Sequence, residues 1–128
     1  MSKIAAQVYL KNNNNEYRYE TNAIYDKDLN ILKFQELLPV KTQIHIDMNS
    51  LQITRENKEL KMILTFDKKQ AKIMKCELKG INQTFSFKLQ TRKIEVSQQK
   101  FLVEYDTYVE NELLDHIIFE ITFQKNLI

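Results

Sequence analysis

The sequence predicts an all-β fold, an antiparallel barrel of about eight to ten strands that run mostly up and down. Apolar and polar residues alternate along most of the 128-residue chain, which is the period of half-buried strands. About ten strands of eight residues with four-residue connections need roughly 116 residues, close to the length available. Sequential hairpins protect their edges best by closing into a barrel, and a two-layer sandwich is the alternative.

The first half of the chain supplies six alternating segments. Apolar residues recur at every second position in each, with mostly polar residues between them, so each predicts one buried face. The stripes are Ile4–Ala6–Val8–Leu10, Tyr17–Tyr19–Thr21–Ala23–Tyr25, Leu32–Phe34, Val40–Thr42–Ile44–Ile46–Met48, Leu51–Ile53 and Leu60–Met62–Leu64–Phe66.

The second half ends in the three clearest stripes, preceded by an ambiguous segment at residues 70–79. These stripes are Phe85–Phe87–Leu89, Phe101–Val103–Tyr105–Thr107–Val109 and Ile117–Phe119–Ile121–Phe123. Residues 28–38, 68–79 and 108–118 also permit short helices, the first behind a possible Asp28 cap. Such helices would leave the fold class unchanged.

Turn-forming residues are scarce, with one Gly and one Pro in the chain. Asparagine tolerates the left-handed backbone that tight turns require, so the run from Asn12 to Asn15 predicts a hairpin loop.

Composition indicates one soluble domain spanning residues 1–128, which we expect in the cytoplasm. One cysteine excludes an internal disulfide and a cysteine-based zinc site. No apolar run approaches the roughly 18 residues that span a bilayer, and residues 1–11 lack a signal peptide's apolar stretch. No membrane association is expected.

The net charge of +2 is unevenly distributed. Residues 1–54 are neutral, residues 55–100 carry +7 and residues 101–128 carry −5. One interpretation is that the acidic C-terminal strands pair beside the basic ones. The other is a polyanion patch formed by Lys68, Lys69, Lys72, Lys75 and Lys79. A nearly neutral protein makes a nucleic-acid partner the weaker hypothesis.

Several segments resemble the YwiB-like family of small bacterial proteins. They are LKFQE at 32–36, LQITR at 51–55, LKMILTF at 60–66, FSFKLQT at 85–91 and the final hairpin at 101–123. The chain departs from the family where Glu56–Asn57 replaces the glycine usual in that turn. The resemblance implies a calycin-like, lipocalin-related antiparallel barrel. Because the family has no assigned activity, the resemblance implies no chemistry.

Arg55 is the most informative side chain for function. It continues the apolar face of Leu51 and Ile53, and Glu36 continues the Leu32–Phe34 face in the same way. An arginine on an apolar face needs a partner, so we expect the two to pair. The pair is interpreted either as part of a binding site for a polar or anionic ligand or as a contact that closes the barrel.

Tyrosines form the second candidate feature. Tyr17, Tyr19 and Tyr25 share one stripe and Tyr105 lies on another, and tyrosines are suited to line a small-molecule pocket. A barrel of this size can equally be filled by its own phenylalanines, which leaves a hollow and a solid interior both open.

Catalytic and metal-binding motifs are absent from the sequence. His45 and His116 have no metal-ligand spacing, and Cys76 is expected to be an inert buried thiol. There is no glycine-rich phosphate loop and no nucleophile elbow. The sequence therefore predicts a non-enzymatic binder of a small molecule, without metal or cofactor. A structural module, either alone or as a homodimer formed through an exposed strand, is the alternative.

Overall fold

A computed structural model describes residues 2–37 and 40–125 and shows ten β-strands, with no helix in these two ranges. In the described parts of the stretches that also permitted helices, 28–37, 68–79 and 108–118, the chain forms strands, turns and bends. The strands are β1 (Ser2–Asn12), β2 (Asn15–Asp26), β3 (Ile31–Glu36), β4 (Thr42–Asp47), β5 (Gln52–Glu56), β6 (Leu60–Thr65), β7 (Lys72–Leu78), β8 (Gln83–Val96), β9 (Lys100–Val109) and β10 (Glu112–Phe123).

All ten strands belong to one closed antiparallel barrel. Each strand pairs with the next along the chain, and β1 also pairs with β10 to close the sheet. The closing register places Val8 opposite Ile121 and Leu10 opposite Phe119. The all-β, up-and-down barrel prediction is confirmed, and the sandwich alternative is wrong.

Side chains from alternate positions fill the barrel interior, as the period-two pattern predicts. The core includes Val8, Ala23, Leu32, Ile44, Ile46, Ile53, Leu64, Leu89, Phe101, Val103, Phe119 and Ile121. The Phe66 and Tyr105 rings pack with their centroids 5.1 Å apart. Four residues of the predicted buried stripes are instead exposed, because they lie near or just beyond the ends of strands: Tyr17, Val40, Phe85 and Val109.

Asparagine provides most of the left-handed turn positions. Six non-glycine residues of the described chain have positive φ, and four of them are asparagines: Asn13, Asn30, Asn82 and Asn111. Two turns mark the opposite ends of the barrel, and we name the ends after them. The Asn13 end carries the β1–β2 turn, and the Asn30 end carries the β2–β3 turn.

The wall of the barrel is open between β2 and β3. These strands pair only at Ile24–Lys33, Tyr25–Leu32 and Asp26–Ile31, next to the Asn30 end. Beyond that point β3 stays with β4 and β2 stays with β1. The edge of β2 from Asn15 to Ala23 therefore has no strand partner within residues 2–37 and 40–125. We call this opening the seam.

Candidate functional site

A cleft runs along the seam toward the Asn13 end and has a volume of about 840 Å³. Its lining includes Tyr17 and Tyr19 of β2, Glu36 of β3 and Arg55 of β5. Pockets for small ligands typically measure roughly 300–1,000 Å³, so the seam cleft is large enough for a metabolite.

Glu36 holds the base of this cleft together by accepting two hydrogen bonds. Arg55 Nη2 donates to Glu36 Oε1 at 2.7 Å, and the Tyr19 hydroxyl donates to Glu36 Oε2 at 2.7 Å. The Glu36 side chain is 6% exposed and the Arg55 side chain 21% exposed. The predicted pairing of Arg55 with Glu36 is confirmed.

The sheet register explains why these two charges meet. Glu36 lies opposite Thr42 on β4, and Arg55 lies opposite Ile44 on the other side of the same strand. Thr42 and Ile44 both face the interior because they are two residues apart. Glu36 and Arg55 therefore flank β4 on its inner face, where each continues an apolar stripe to its end.

Burial and the hydrogen bond to Glu36 both raise the pKa of Tyr19, and the Arg55 charge opposes this only in part. Tyr19 is therefore a neutral hydroxyl donor throughout the pH range in which the protein is handled. Burial likewise raises the pKa of Tyr105, with Arg55 acting in the opposite direction.

Arg55 has hydrogen-bonding capacity left over. A guanidinium group carries five N–H donors, and Arg55 makes a single hydrogen bond within the described chain, to Glu36. The remaining donors can bind a planar acceptor such as a carboxylate through two parallel hydrogen bonds.

The structure separates the four predicted tyrosines. Tyr19 joins the Glu36–Arg55 pair, and Tyr17, 52% exposed, lines the same cleft. Tyr25 lies at the opposite end, where its hydroxyl donates to Asn30 Oδ1 at 2.8 Å. Tyr105 is buried in the core. Four of the six predicted ligand-binding residues therefore line the seam cleft.

The five lysines of the predicted polyanion patch are spread along the whole of β7. Lys68 and Lys69 precede the strand, and Lys79 follows it at the other end. A rise of about 3.3 Å per residue puts the Cα atoms of Lys72 and Lys79 about 23 Å apart. Lys79 also binds Glu56 at 2.6 Å, so these lysines form no compact cluster.

Acidic residues of β9 do lie beside basic residues of β8. Lys93 is directly opposite Glu104, and Arg92 Nε donates a hydrogen bond to Asp106. This arrangement accounts for part of the uneven charge distribution by pairing within the sheet.

Sequence reasoning missed a charged cluster on the outer face of β8, β9 and β10. Asp106 is 1% exposed although it lies on the outside of the barrel. It contacts Arg92, and it lies 2.5 Å from Nδ1 of His116. Nε2 of the same histidine lies 3.0 Å from Glu104. Each of these four charged or titratable side chains therefore has at least one bonding partner within the cluster.

Two β-bulges create this cluster. A plain hairpin from Glu112–Val109 would place Asp115 opposite Asp106, but the bulge between Leu113 and Asp115 places His116 there. A second bulge, between Thr91 and Lys93, inserts Arg92 on the neighbouring strand. One sequence signal could have found the second bulge: the apolar positions of β8 change from odd numbers, Phe87 and Leu89, to an even number, Ile94, on either side of Arg92.

The remaining candidates for chemistry have ordinary surroundings. His45 is exposed, and partial burial together with Lys33 lowers its pKa. Burial raises the pKa of the Cys76 thiol, which disfavours the reactive thiolate. The described residues contain no His, Cys, Asp and Glu group arranged to hold a metal ion. They also contain no helix capable of crossing a bilayer.

Comparison with known proteins gives a match in structure. No protein-family model matches the chain, and no curated protein matches it in sequence. The crystal structure of the ywiB protein from Bacillus subtilis is similar, with a TM-score of 0.58 and 16% identity. The alignment covers 96% of this chain and 91% of that one. This similarity shows a shared fold over nearly the whole length of both chains.

Proposed function

We propose that this chain is a cytoplasmic, non-enzymatic member of the YwiB-like family, with a calycin-like barrel that binds a small polar or anionic molecule in the seam cleft. Two independent findings support the family assignment. The segments around Glu36 and Arg55 resemble the family in sequence, and the fold matches that of the Bacillus subtilis protein over 96% of the chain.

The observation that carries the binding proposal is the state of Arg55. Its guanidinium is anchored by Glu36 at the base of a cleft of metabolite size, yet most of its donors have no partner in the described chain. Anchoring fixes the group before a ligand arrives, which reduces the entropy lost on binding.

The other charged residues of the cleft favour a ligand that is not purely anionic. Glu16, Arg18 and Glu20 line the cleft together with Glu36 and Arg55, so acidic groups exceed basic groups by one. A molecule with a carboxylate for Arg55 and hydrogen-bond donors for the glutamates matches this lining.

Thermal-shift and native mass-spectrometry measurements with a library of organic acids and amino acids test the proposal. We expect at least one compound to raise the melting temperature and to survive as a complex in the spectrometer. The R55K variant, which keeps the charge but loses the planar fork, should lose this binding.

Tyr25→Phe is the matched control, because Tyr25 lies at the Asn30 end and should leave binding unchanged. Absence of any ligand from the library in both measurements, or binding that survives R55K, contradicts the proposal.

A further inference from the structure

The unpartnered edge of β2 is unusually open to association. Nine consecutive residues, Asn15–Ala23, pair with β1 on one side and with no other described strand on the opposite side. Six of these nine residues are exposed. An open edge presents unpaired N–H and C=O groups to another chain, and natural edges are commonly protected by bulges, lysine or proline. This edge has no bulge, lysine or proline, and its charged residues are Glu16, Arg18 and Glu20.

The sequence of this edge is complementary to itself. Tyr19 is the midpoint of Asn15–Ala23, so two copies aligned antiparallel about Tyr19 pair along the full stretch. In that register Arg18 of each copy lies directly opposite Glu20 of the other, and Tyr17 lies opposite Thr21. Opposite charges directly across an antiparallel pair stabilise it, and these two ion pairs form on the outer face.

We propose that the protein forms a two-fold symmetric homodimer by pairing β2 with β2 of a second copy, centred on Tyr19. A two-fold axis perpendicular to the sheet keeps the outer faces of both barrels on the same side, which preserves the Arg18–Glu20 pairing. The two walls join into one continuous sheet through the seam. Arg55 and Glu36 lie at the base of the cleft and take no part in this pairing, whereas Arg18 and Glu20 line the same cleft and in the dimer pair with the second copy instead of a ligand.

Charge reversal tests the register directly. Sedimentation velocity of the full chain over a range of concentrations should show a monomer–dimer equilibrium. R18E brings two acidic side chains opposite each other across the interface, and E20R brings two basic side chains together. Each variant should therefore weaken dimerisation about tenfold or more. The double variant R18E/E20R exchanges the charges and should restore the dimer.

Lys75→Glu is the control, since Lys75 is exposed on β7 and undergoes the same change in charge. It should leave dimerisation unchanged. A protein that stays monomeric, a dimer that neither single variant weakens, or a double variant that fails to recover would each overturn the proposal.

Hydrogen exchange of the wild-type protein gives a second measurement that needs no variant. Amides in residues 15–23 that face the seam should become better protected as concentration rises. Unchanged protection across the dimerisation range would overturn the β2 interface even if a dimer forms. R55K, which tests the ligand site, should leave the dimer intact, so the two proposals fail separately.

Discussion

A charged pair in a barrel interior loses hydration free energy, which its hydrogen bonds have to replace. Glu36 is nearly buried, and both of its oxygens accept hydrogen bonds, from Tyr19 and Arg55. Removing one partner from a buried pair costs more than the pair itself contributes, because a charge is left behind without compensation.

We therefore predict that Arg55→Met lowers the free energy of unfolding by about 3 kcal/mol. Urea titration measures this change. The double variant E36L/R55M should recover much of the loss, since both charges are then absent.

Lys93→Met is the comparison, because Lys93 pairs with Glu95 on the exposed surface and should cost less than about 1 kcal/mol. A smaller loss for R55M than for K93M would show that Glu36 does not depend on Arg55.

Asp106 makes stability depend on pH. Burial opposes ionisation of Asp106, but hydrogen bonds from His116 and Arg92 outweigh it and lower the pKa of the carboxyl group. A lowered pKa in the folded state contributes stability above the unfolded value of about 3.9, and this contribution disappears as the pH falls through the folded value.

The D106N variant should thus be less stable than wild type at neutral pH, and the difference should shrink in strong acid. Urea midpoints measured from neutral pH down to about pH 2 follow this change. If the urea midpoints of the two proteins changed equally with pH, the assignment of this pH dependence to Asp106 would be contradicted.

At the scale of strand pairs, the β9–β10 hairpin holds a glutamate in a left-handed backbone conformation. The β9–β10 hairpin turns through Glu110 and Asn111, with φ values of 50° and 68°. Both residues therefore adopt left-handed backbone conformations, a geometry for which Asn-Gly is the favoured pair. Glutamate gains nothing there, because its side chain makes no hydrogen bond in the described chain.

Replacing Glu110–Asn111 by Asn-Gly should raise the free energy of unfolding by about 0.5–1 kcal/mol. Denaturation by urea measures the gain. Glu110→Gln is the control for lost charge and should have little effect. An unchanged or lower stability of the Asn-Gly variant would show that the turn is not strained.

The buried faces of strands can be predicted from sequence alone, whereas β-bulges and the separation of neighbouring strands are harder to predict. Period two identified the buried faces of β1, β3, β4, β9 and β10, because a strand with one wet face needs that alternation. Bulges and strand separation depend on relations between strands. The bulge near Leu114 and the parting of β2 from β3 leave the local pattern intact, so only the structure revealed them.

The candidate site shows the same division. Arg55 and Glu36 were predictable as a pair because each breaks an apolar stripe at its last position. Tyr19 and Tyr25 lie on one stripe, which predicts a shared site. Six residues of extended strand separate them, however, so Tyr19 bonds Glu36 toward the Asn13 end and Tyr25 bonds Asn30 at the opposite end. A shared face does not imply a shared site.

For the molecule as a whole, we predict a single cooperative unfolding transition. One core cluster extends from Ile4 to Phe123 and draws on every strand, so no part of the wall has a separate interior. The chain has no tryptophan, so tyrosine fluorescence and far-ultraviolet circular dichroism serve as the two probes. Transitions that do not coincide would indicate independently unfolding parts.

The β1–β10 pair also sets the order in which the protein can be completed during translation. β1 leaves the ribosome first, but its partner β10 is made more than one hundred residues later. Until then the nascent sheet has two unpaired edge strands, and its apolar concave face stays accessible to water. Release of β10 is therefore the event that pairs the free edges of β1 and β9.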